Sequence, residues 1–545
     1  MKKNPSSFYK FAYLLILAVI TACGDAFFRG DRNGLAAVTG KALIYFFLFY
    51  VFFLIADKLL HSFQSQTDTQ NWHRYFQYNR TNILRISLLL FAIYFVYLLV
   101  FYPGATTGDT VYQIEDLVTG TDPMPYPVIY GHTTVQALMI DHHPVTTTLI
   151  FTLFYRIGLL LGDPNIGLFL FNLIQIISLS ILFAAIVCFM DCLQIPKPIA
   201  LISMIFYASP VVASFAITMG KDTVFSFCFV LYYLVYVRLV LSRHDMDSDK
   251  KQWLLLALLS VLISLMNKKG MYLAAFSDLC LLFVVPEKKK ILAILSALLP
   301  IFTMVVLLQH ILFPAMNIVP GGKQETLGFA FQQTALALIE HPENYTEEEK
   351  NLFFSILDLS PEELPDAYNP NHLDPIKNRY RFETDDDTLH TYLKMWAAHF
   401  FREPVTYLSA TLSIGGGFLA PLKSFNVYQY VPYSDALGAF SQPDKTYSMR
   451  MTLGAFLSWM DSIPFLAIFV QDSLYVFWFP AFSLYLFCKQ KQWKRIVLLA
   501  PFAANLVFLM IGPLCYTRYA LFQLYTFPAL LAVTALPVNR KENVR

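Results

Sequence analysis

Apolar runs of about 20 residues recur along the whole chain, separated by polar connections, two of which are long. An α-helix needs a run of that length to cross the ~30 Å hydrocarbon core of a bilayer. Read in order, the runs predict spans over roughly 9–28, 41–60, 84–102, 165–190, 199–217, 223–241, 252–267, 270–285, 291–314, 463–487, 496–512 and 519–537. Two further apolar segments, 145–162 and 404–420, are ambiguous. The pattern predicts an all-α polytopic membrane protein of about twelve transmembrane helices with juxtamembrane helices and a helical outer loop region.

Charge assigns the sides. Lys and Arg favour the cytoplasmic ends of short loops, and they cluster in "RYFQYNR" near 74–80, "RHDMDSDKK" at 243–251, "PEKKK" at 286–290, "KQKQWKR" at 489–495 and both termini. All of these fall on one side if the N-terminus is inside and neither ambiguous segment crosses. The stretch 103–144, which has no Lys or Arg, then lies outside. If 145–162 crossed, two basic clusters would move outside. It is therefore expected to lie along the outer face, and 404–420, broken by Gly415–Gly417, is also expected not to cross. Both termini come out cytoplasmic. Four regions follow: 1–83 with two helices and a cytoplasmic loop, a membrane core 84–314 with outer loop 103–164, an extracytoplasmic region 315–462, and C-terminal helices 463–545. In the third, "SPEEL" reads as an N-cap at Ser360 with proline at the first helical position.

Composition agrees. Of 545 residues 56% are hydrophobic and 14% charged, against about 25% charged in soluble domains. The net charge of +2 selects no partner, and no nucleic-acid partner is expected. Seven scattered cysteines show no zinc or disulfide spacing. "ITAC", ending at Cys23, resembles a lipoprotein cleavage site, but an uncleaved first helix is the simpler account.

Candidate chemistry gathers at the expected outer ends. In "GDTVYQIED" a helix would place Asp109, Gln113 and Asp116 on one face, able to hold a sugar hydroxyl or a divalent cation such as Mg or Mn. A carboxylate there could also take a proton from an acceptor; the alternative is a solvated helix face. "DHHPVTTTL" adds Asp141, His142 and His143, and "TMGKDTVF" adds Lys221 and Asp222. "LMNKKGMY" places Lys268 and Lys269 outside, against the positive-inside tendency, where lysine is a point-charge partner for phosphate. "PLCYTRYALF" sets Arg518 at the start of the last span, and "ETLGFAFQQTALAL" contributes Glu325, Gln332 and Gln333. Interfacial anchoring is the alternative for each cation. Carboxylates and cations at one leaflet suit a polar acceptor and a donor whose phosphate sits among the headgroups. The cations would stabilise charge growing on the leaving phosphate.

"YPGATTGDTVYQ", "HHPVTTTL", "TMGKDTVF", "NKKGMY", "ETLGFAFQQTALAL", "YNPNHLDPIKNRY", "MWAAHFFREPVTYLSATL" and "CYTRYALF" occur in that order between about 84 and 537. With them the chain resembles the GT-C superfamily of integral membrane glycosyltransferases. The resemblance implies a catalytic acidic residue in the first outer loop, at Asp109, and a second in the next, at Asp222. It also implies juxtamembrane helices, a polyprenyl-phosphate sugar donor, and a glycan, lipid or protein acceptor. Metal dependence varies across the superfamily and does not carry over. Two departures stand out: "NKKG" has lysine where arginine is expected, and the large soluble C-terminal domain of several GT-C enzymes is not expected here, so acceptor recognition is expected from 315–462. A transporter or flippase of a lipid-linked glycan or small solute is the alternative, and a non-catalytic scaffold the third. A transporter would place ionisable residues and broken helices near the bilayer midplane.

Overall fold

Helices make up most of the computed structural model, which describes residues 5–30, 34–65, 75–119, 138–241, 249–422, 425–427, 437 and 442–536. In chain order they begin with α1 (Pro5–Phe28), α2 (Gly34–Ser65), α3 (Arg80–Val100), α4 (Gly108–Thr119), α5 (Val145–Leu160) and α6 (Pro164–Cys192). Then come α7 (Lys197–Tyr207), α8 (Pro210–Ala216), α9 (Lys221–Leu241), α10 (Asp249–Met266), α11 (Lys269–Cys280) and α12 (Glu287–Ala315). A cap follows, built from α13 (Gln324–Glu340), α14 (Glu347–Ile356), α15 (Asp386–Arg402) and α16 (Pro404–Gly415). The chain continues through α17 (Tyr447–Ser462), α18 (Leu474–Lys489), α19 (Trp493–Met510) and α20 (Leu521–Thr534).

Among the described residues, seven helices are long and apolar enough to cross a membrane: α1, α2, α3, α6, α9, α12 and α19. They become eight if α7 and α8, bent by 52°, form one broken span. The protein is thus an α-helical membrane protein. Four predicted runs form helices that are shorter or start in charge. α10 opens on Asp249, Lys250 and Lys251, α11 has 12 residues, α18 is a shorter apolar helix, and α20 has 14 residues.

The break between α7 and α8 has a local cause. Pro210 has no N–H to continue the helix, and Ser209 caps the next one by accepting the Val212 N–H. In lipid the freed carbonyls need donors. Tyr94 donates to the Tyr207 carbonyl at the break at 2.6 Å, and the Tyr207 hydroxyl in turn ties the break to α20 by donating to the Tyr525 carbonyl at 2.9 Å. Deeper in the bundle, fully buried Asp278 of α11 accepts from the Tyr232 hydroxyl at 2.8 Å and from Ser260 at 2.9 Å. One carboxylate thereby ties α9, α10 and α11 together.

The ambiguous segments form short helices. α5 has 16 residues, about 24 Å, and packs on α4 and α6. α16 ends at Gly415 and passes into a tight turn over Gly416–Phe418. Gly416 lies so near α1 that a Cβ there would meet the Gly24 carbonyl oxygen at 2.4 Å, so glycine serves close packing. The cap has its own core, with Phe331, Phe353, Ile356, Tyr392 and Tyr407 fully buried. The expected helix start at Ser360 is instead a turn. Ser360 and Glu363 exchange the two bonds of a capping box, and a four-residue helix follows at Leu364–Ala367.

Four very short strands set the polar end of the bundle: β1 (Ala105–Thr106), β2 (Met139–Asp141), β3 (Thr218–Met219) and β4 (Ile318–Pro320). β1 pairs with β3 and β2 with β4, both in parallel.

Candidate functional site

The β1–β3 pair is the frame on which the site is hung. β1 runs into α4 through Thr107, whose hydroxyl accepts the Thr110 N–H at 3.2 Å. The Thr110 hydroxyl donates to the Met219 carbonyl of β3 at 2.8 Å. β3 then runs into α9. Two helices therefore start side by side, with Asp109 in the first turn of one and Asp222 in the first turn of the other. Helix starts carry partial positive charge, which favours these carboxylates and would equally favour an anion. Gly104 fixes the entry to β1: its φ is +120°, and a Cβ there would lie 2.1 Å from the Asn172 amide nitrogen.

Asp109 Oδ2 lies 2.9 Å from Lys221 Nζ and 3.2 Å from Arg518 Nη1. Burial alone would raise the Asp109 carboxyl, but Lys221 and Arg518 hold it well below the usual carboxylate range. Arg518 lies over the Tyr519 ring, 4.9 Å from its centroid, and donates to the Tyr519 hydroxyl at 3.0 Å. Lys221 Nζ is also 2.9 Å from His143 Nδ1. Burial, with Lys221 nearby, pushes His143 well below the usual imidazole range. The ring is neutral at pH 7, and Nδ1 accepts from the ammonium.

The β2–β4 pair carries a second set of charges. Lys268 Nζ lies 2.9 Å from Asp141 Oδ2 and also bonds the Asp141 carbonyl. Burial raises the Asp141 carboxyl despite that lysine. His142 Nδ1 lies 4.0 Å from Glu325 Oε1. Burial pushes His142 down to about 4, against the pull of Glu325. Glu325 reaches Lys377 Nζ at 3.0 Å, and Lys377 reaches Asp374 at 2.8 Å. Behind Asp109, Asp222 Oδ1 accepts from Asn267 Nδ2 at 3.1 Å. Lys269 Nζ donates to the Tyr519 carbonyl at 2.7 Å, above the Phe225 and Phe522 rings.

Asp109, Lys221, His143 and Arg518 thus meet directly. Lys269 and Asp222 join them through Tyr519 and Asn267, while Lys268, His142 and Glu325 line the adjoining β2–β4 side. Three candidates are engaged within the fold. The Gln113 oxygen accepts from Thr147 at 2.8 Å and its nitrogen donates to the Asp109 carbonyl at 3.1 Å. Asp116 accepts the Ile140 N–H at 3.0 Å. Gln332 donates to the Asn369 carbonyl within the cap at 2.7 Å.

A protein family of unknown function, DUF6020, matches residues 7–544. The chain belongs to DUF6020. No curated protein and no solved structure matches it. In this DUF6020 member, Asn267, Lys377 and Tyr519 are parts of the site that the sequence did not single out. Asn267 is an uncharged residue beside two lysines in "NKKG". Lys377 looked like one more charge in a polar loop. Among the described residues, no three His, Cys, Asp or Glu side chains converge as a metal set. The acidic groups of the site already face Lys221, Arg518, Lys268, Lys377 or Asn267. They do not fit a bare Mg or Mn ion.

Proposed function

We propose that this DUF6020 chain is a GT-C-like membrane glycosyltransferase. It moves a sugar from a polyprenyl-phosphate-linked donor to an acceptor hydroxyl at the outer face of the plasma membrane. About twelve crossings, with both termini inside, would put the site there. The observation that carries the proposal is the contact of Asp109 with both Lys221 and Arg518, supplied by three distant parts of the chain.

In the transfer, the acceptor oxygen bonds to the anomeric carbon as the bond from that carbon to the phosphate oxygen breaks. The electron pair leaves on the phosphate, opposite Lys221 and Arg518. Asp109 takes the acceptor proton. A carboxylate held by two cations is a weak base. A donor phosphate that draws Lys221 and Arg518 to itself frees Asp109 and raises its proton affinity, so donor binding switches on the base. The cap, which reaches His142 through Glu325, would hold the acceptor.

A second reading, transport of a lipid-linked glycan or small solute, draws on buried Asp278 and the broken α7–α8 span. Both Asp278 oxygens are already met by hydroxyls, so the weight stays with Asp109. The deciding experiment incubates purified protein with a panel of radiolabelled polyprenyl-phosphate sugars and scores polyprenyl phosphate release. Release that disappears in Asp109→Asn supports transfer. Movement of intact lipid-linked glycan across proteoliposomes, without release, supports transport.

A further inference from the structure

At the opposite end of α10 from the site, a groove of ≈ 440 Å³ opens between α10 and α12. Leucines of α10 and α12 line most of it, with Ala257, Ser296 and Phe302, and Lys250 and Trp253 stand at the start of α10. α11 forms a close hairpin with α10 and another with α12. α10 and α12 therefore run in the same direction, and both begin at the same membrane face. That face carries Lys250, Lys251, Lys288, Lys289 and Lys290 against Asp249 and Glu287.

Three features point to one occupant. The groove is apolar except at its lysine end and at Ser296, whose hydroxyl is turned back onto the Ala293 carbonyl at 3.0 Å. From Leu292 to Phe302 it follows about 15 Å of helix, the depth of one leaflet of a ~30 Å core. The Trp253 residue is 4% exposed, and its Nε1 has no hydrogen-bond partner among the described residues. A buried indole N–H ordinarily finds an acceptor.

We infer that this groove is a binding site for an anionic phospholipid of the leaflet opposite the Asp109 site. One acyl chain lies between α10 and α12, the headgroup phosphate meets Lys250, and a phosphate or ester oxygen accepts from Trp253. The site is separate from any donor lipid. Lys250 and Asn267 stand at opposite ends of α10, about 25 Å apart along the helix, and Asn267 bonds Asp222.

The test titrates full-length protein in detergent with phosphatidylglycerol, phosphatidylcholine and soluble glycerol phosphate, read by native mass spectrometry and thermal unfolding. Phosphatidylglycerol should be retained and raise the midpoint. Phosphatidylcholine should bind about fivefold or more weakly, and glycerol phosphate should not protect. Lys250→Gln should weaken phosphatidylglycerol about fivefold, the value of one lysine at an anionic surface. Ala257→Trp, which fills the groove and leaves the charges in place, should weaken both lipids. Equal binding of the two lipids, protection by glycerol phosphate alone, or an indifferent Ala257→Trp overturns the site. If Lys250→Gln does not fold, Trp253→Phe decides: undiminished phosphatidylglycerol retention refutes the assignment.

Discussion

Asp109 and Arg518 lie far apart in the sequence, and their side chains are 3.2 Å from each other. The guanidinium is held on its other side by the Tyr519 hydroxyl, so its direction is fixed before any donor arrives. For the proposed transfer, Asp109→Asn should lower turnover by about 10²–10⁴-fold, the range for loss of a general base, with normal expression and an unchanged elution profile. Arg518→Lys should recover only part of the activity lost in Arg518→Ala, because a point charge cannot serve Asp109 and Tyr519 together. Initial rates on a labelled polyprenyl-phosphate sugar measure both. Full activity in Asp109→Asn removes it from the chemistry.

His142 and His143 set the response to acid. Burial depresses both, His142 to about 4. As pH falls below about 6.5, the unfolded chain binds protons at these rings before the folded one does. Stability should therefore decline as pH falls from about 6.5 towards 4. His142→Gln should flatten that decline. Thermal unfolding at pH 7, 6 and 5 checks it, and an identical slope in the variant means the acid response lies elsewhere.

How much of this was legible in the sequence depends on where each residue stands. Asp109, Lys221 and Arg518 could be singled out because charge beside a long apolar run is costly and therefore rare. Their mutual contact was not legible, since it depends on β1 meeting β3 and on the return of the last helix. Gln113 and Asp116 read as an open helix face with Asp109. β2 and the start of α5 come back over that face and occupy both. Among the described residues seven spans stand out by length and apolar composition together. α11 and α20 are shorter than the apolar runs that suggested them, because Lys269–Cys280 gives way to a tight turn at Leu281–Phe283 and a turn at Thr517–Ala520 precedes Leu521.

Gly104 is a stability test of the frame itself. Its positive φ and the nearby Asn172 amide leave no room for a methyl group. Gly104→Ala should cost about 1–3 kcal/mol and lower the unfolding midpoint. Asn172→Ala should partly relieve that cost by clearing the clash. An unaffected midpoint in Gly104→Ala would mean the turn is not held in this conformation.

Asp278 separates a tie between helices from a transport residue. Tyr232 and Ser260 donate to its two oxygens. Asp278→Asn keeps an acceptor and should be tolerated, whereas Asp278→Leu strands the buried Tyr232 hydroxyl, Ser260 keeping the Leu256 carbonyl, and should cost about 1–3 kcal/mol. If the carboxylate only holds α9, α10 and α11 together, sugar transfer by Asp278→Asn stays near wild type. Lost function at unchanged stability would instead favour the transport reading.

Lys377 braces Glu325, the cap residue that lies 4.0 Å from His142 of the site. Its side chain is 8% exposed and it faces Glu325 and Asp374, which are 34% and 32% exposed. Glu325 and Asp374 pull the Lys377 ammonium above its usual range despite its burial. Removing one member of a fully buried ion pair costs about 3–5 kcal/mol. The open carboxylates reduce that here, and Lys377→Met should cost about 2 kcal/mol. Because α13 to α16 have their own core, the loss should appear as easier local opening near Asp374, with the core around Phe331 and Tyr392 still protected. Hydrogen exchange resolved by peptide distinguishes the cases. Faster exchange confined to the Leu373–Tyr380 stretch supports a hinge contact. Uniform exchange across the cap would make Lys377 part of its core and detach it from the working of the site.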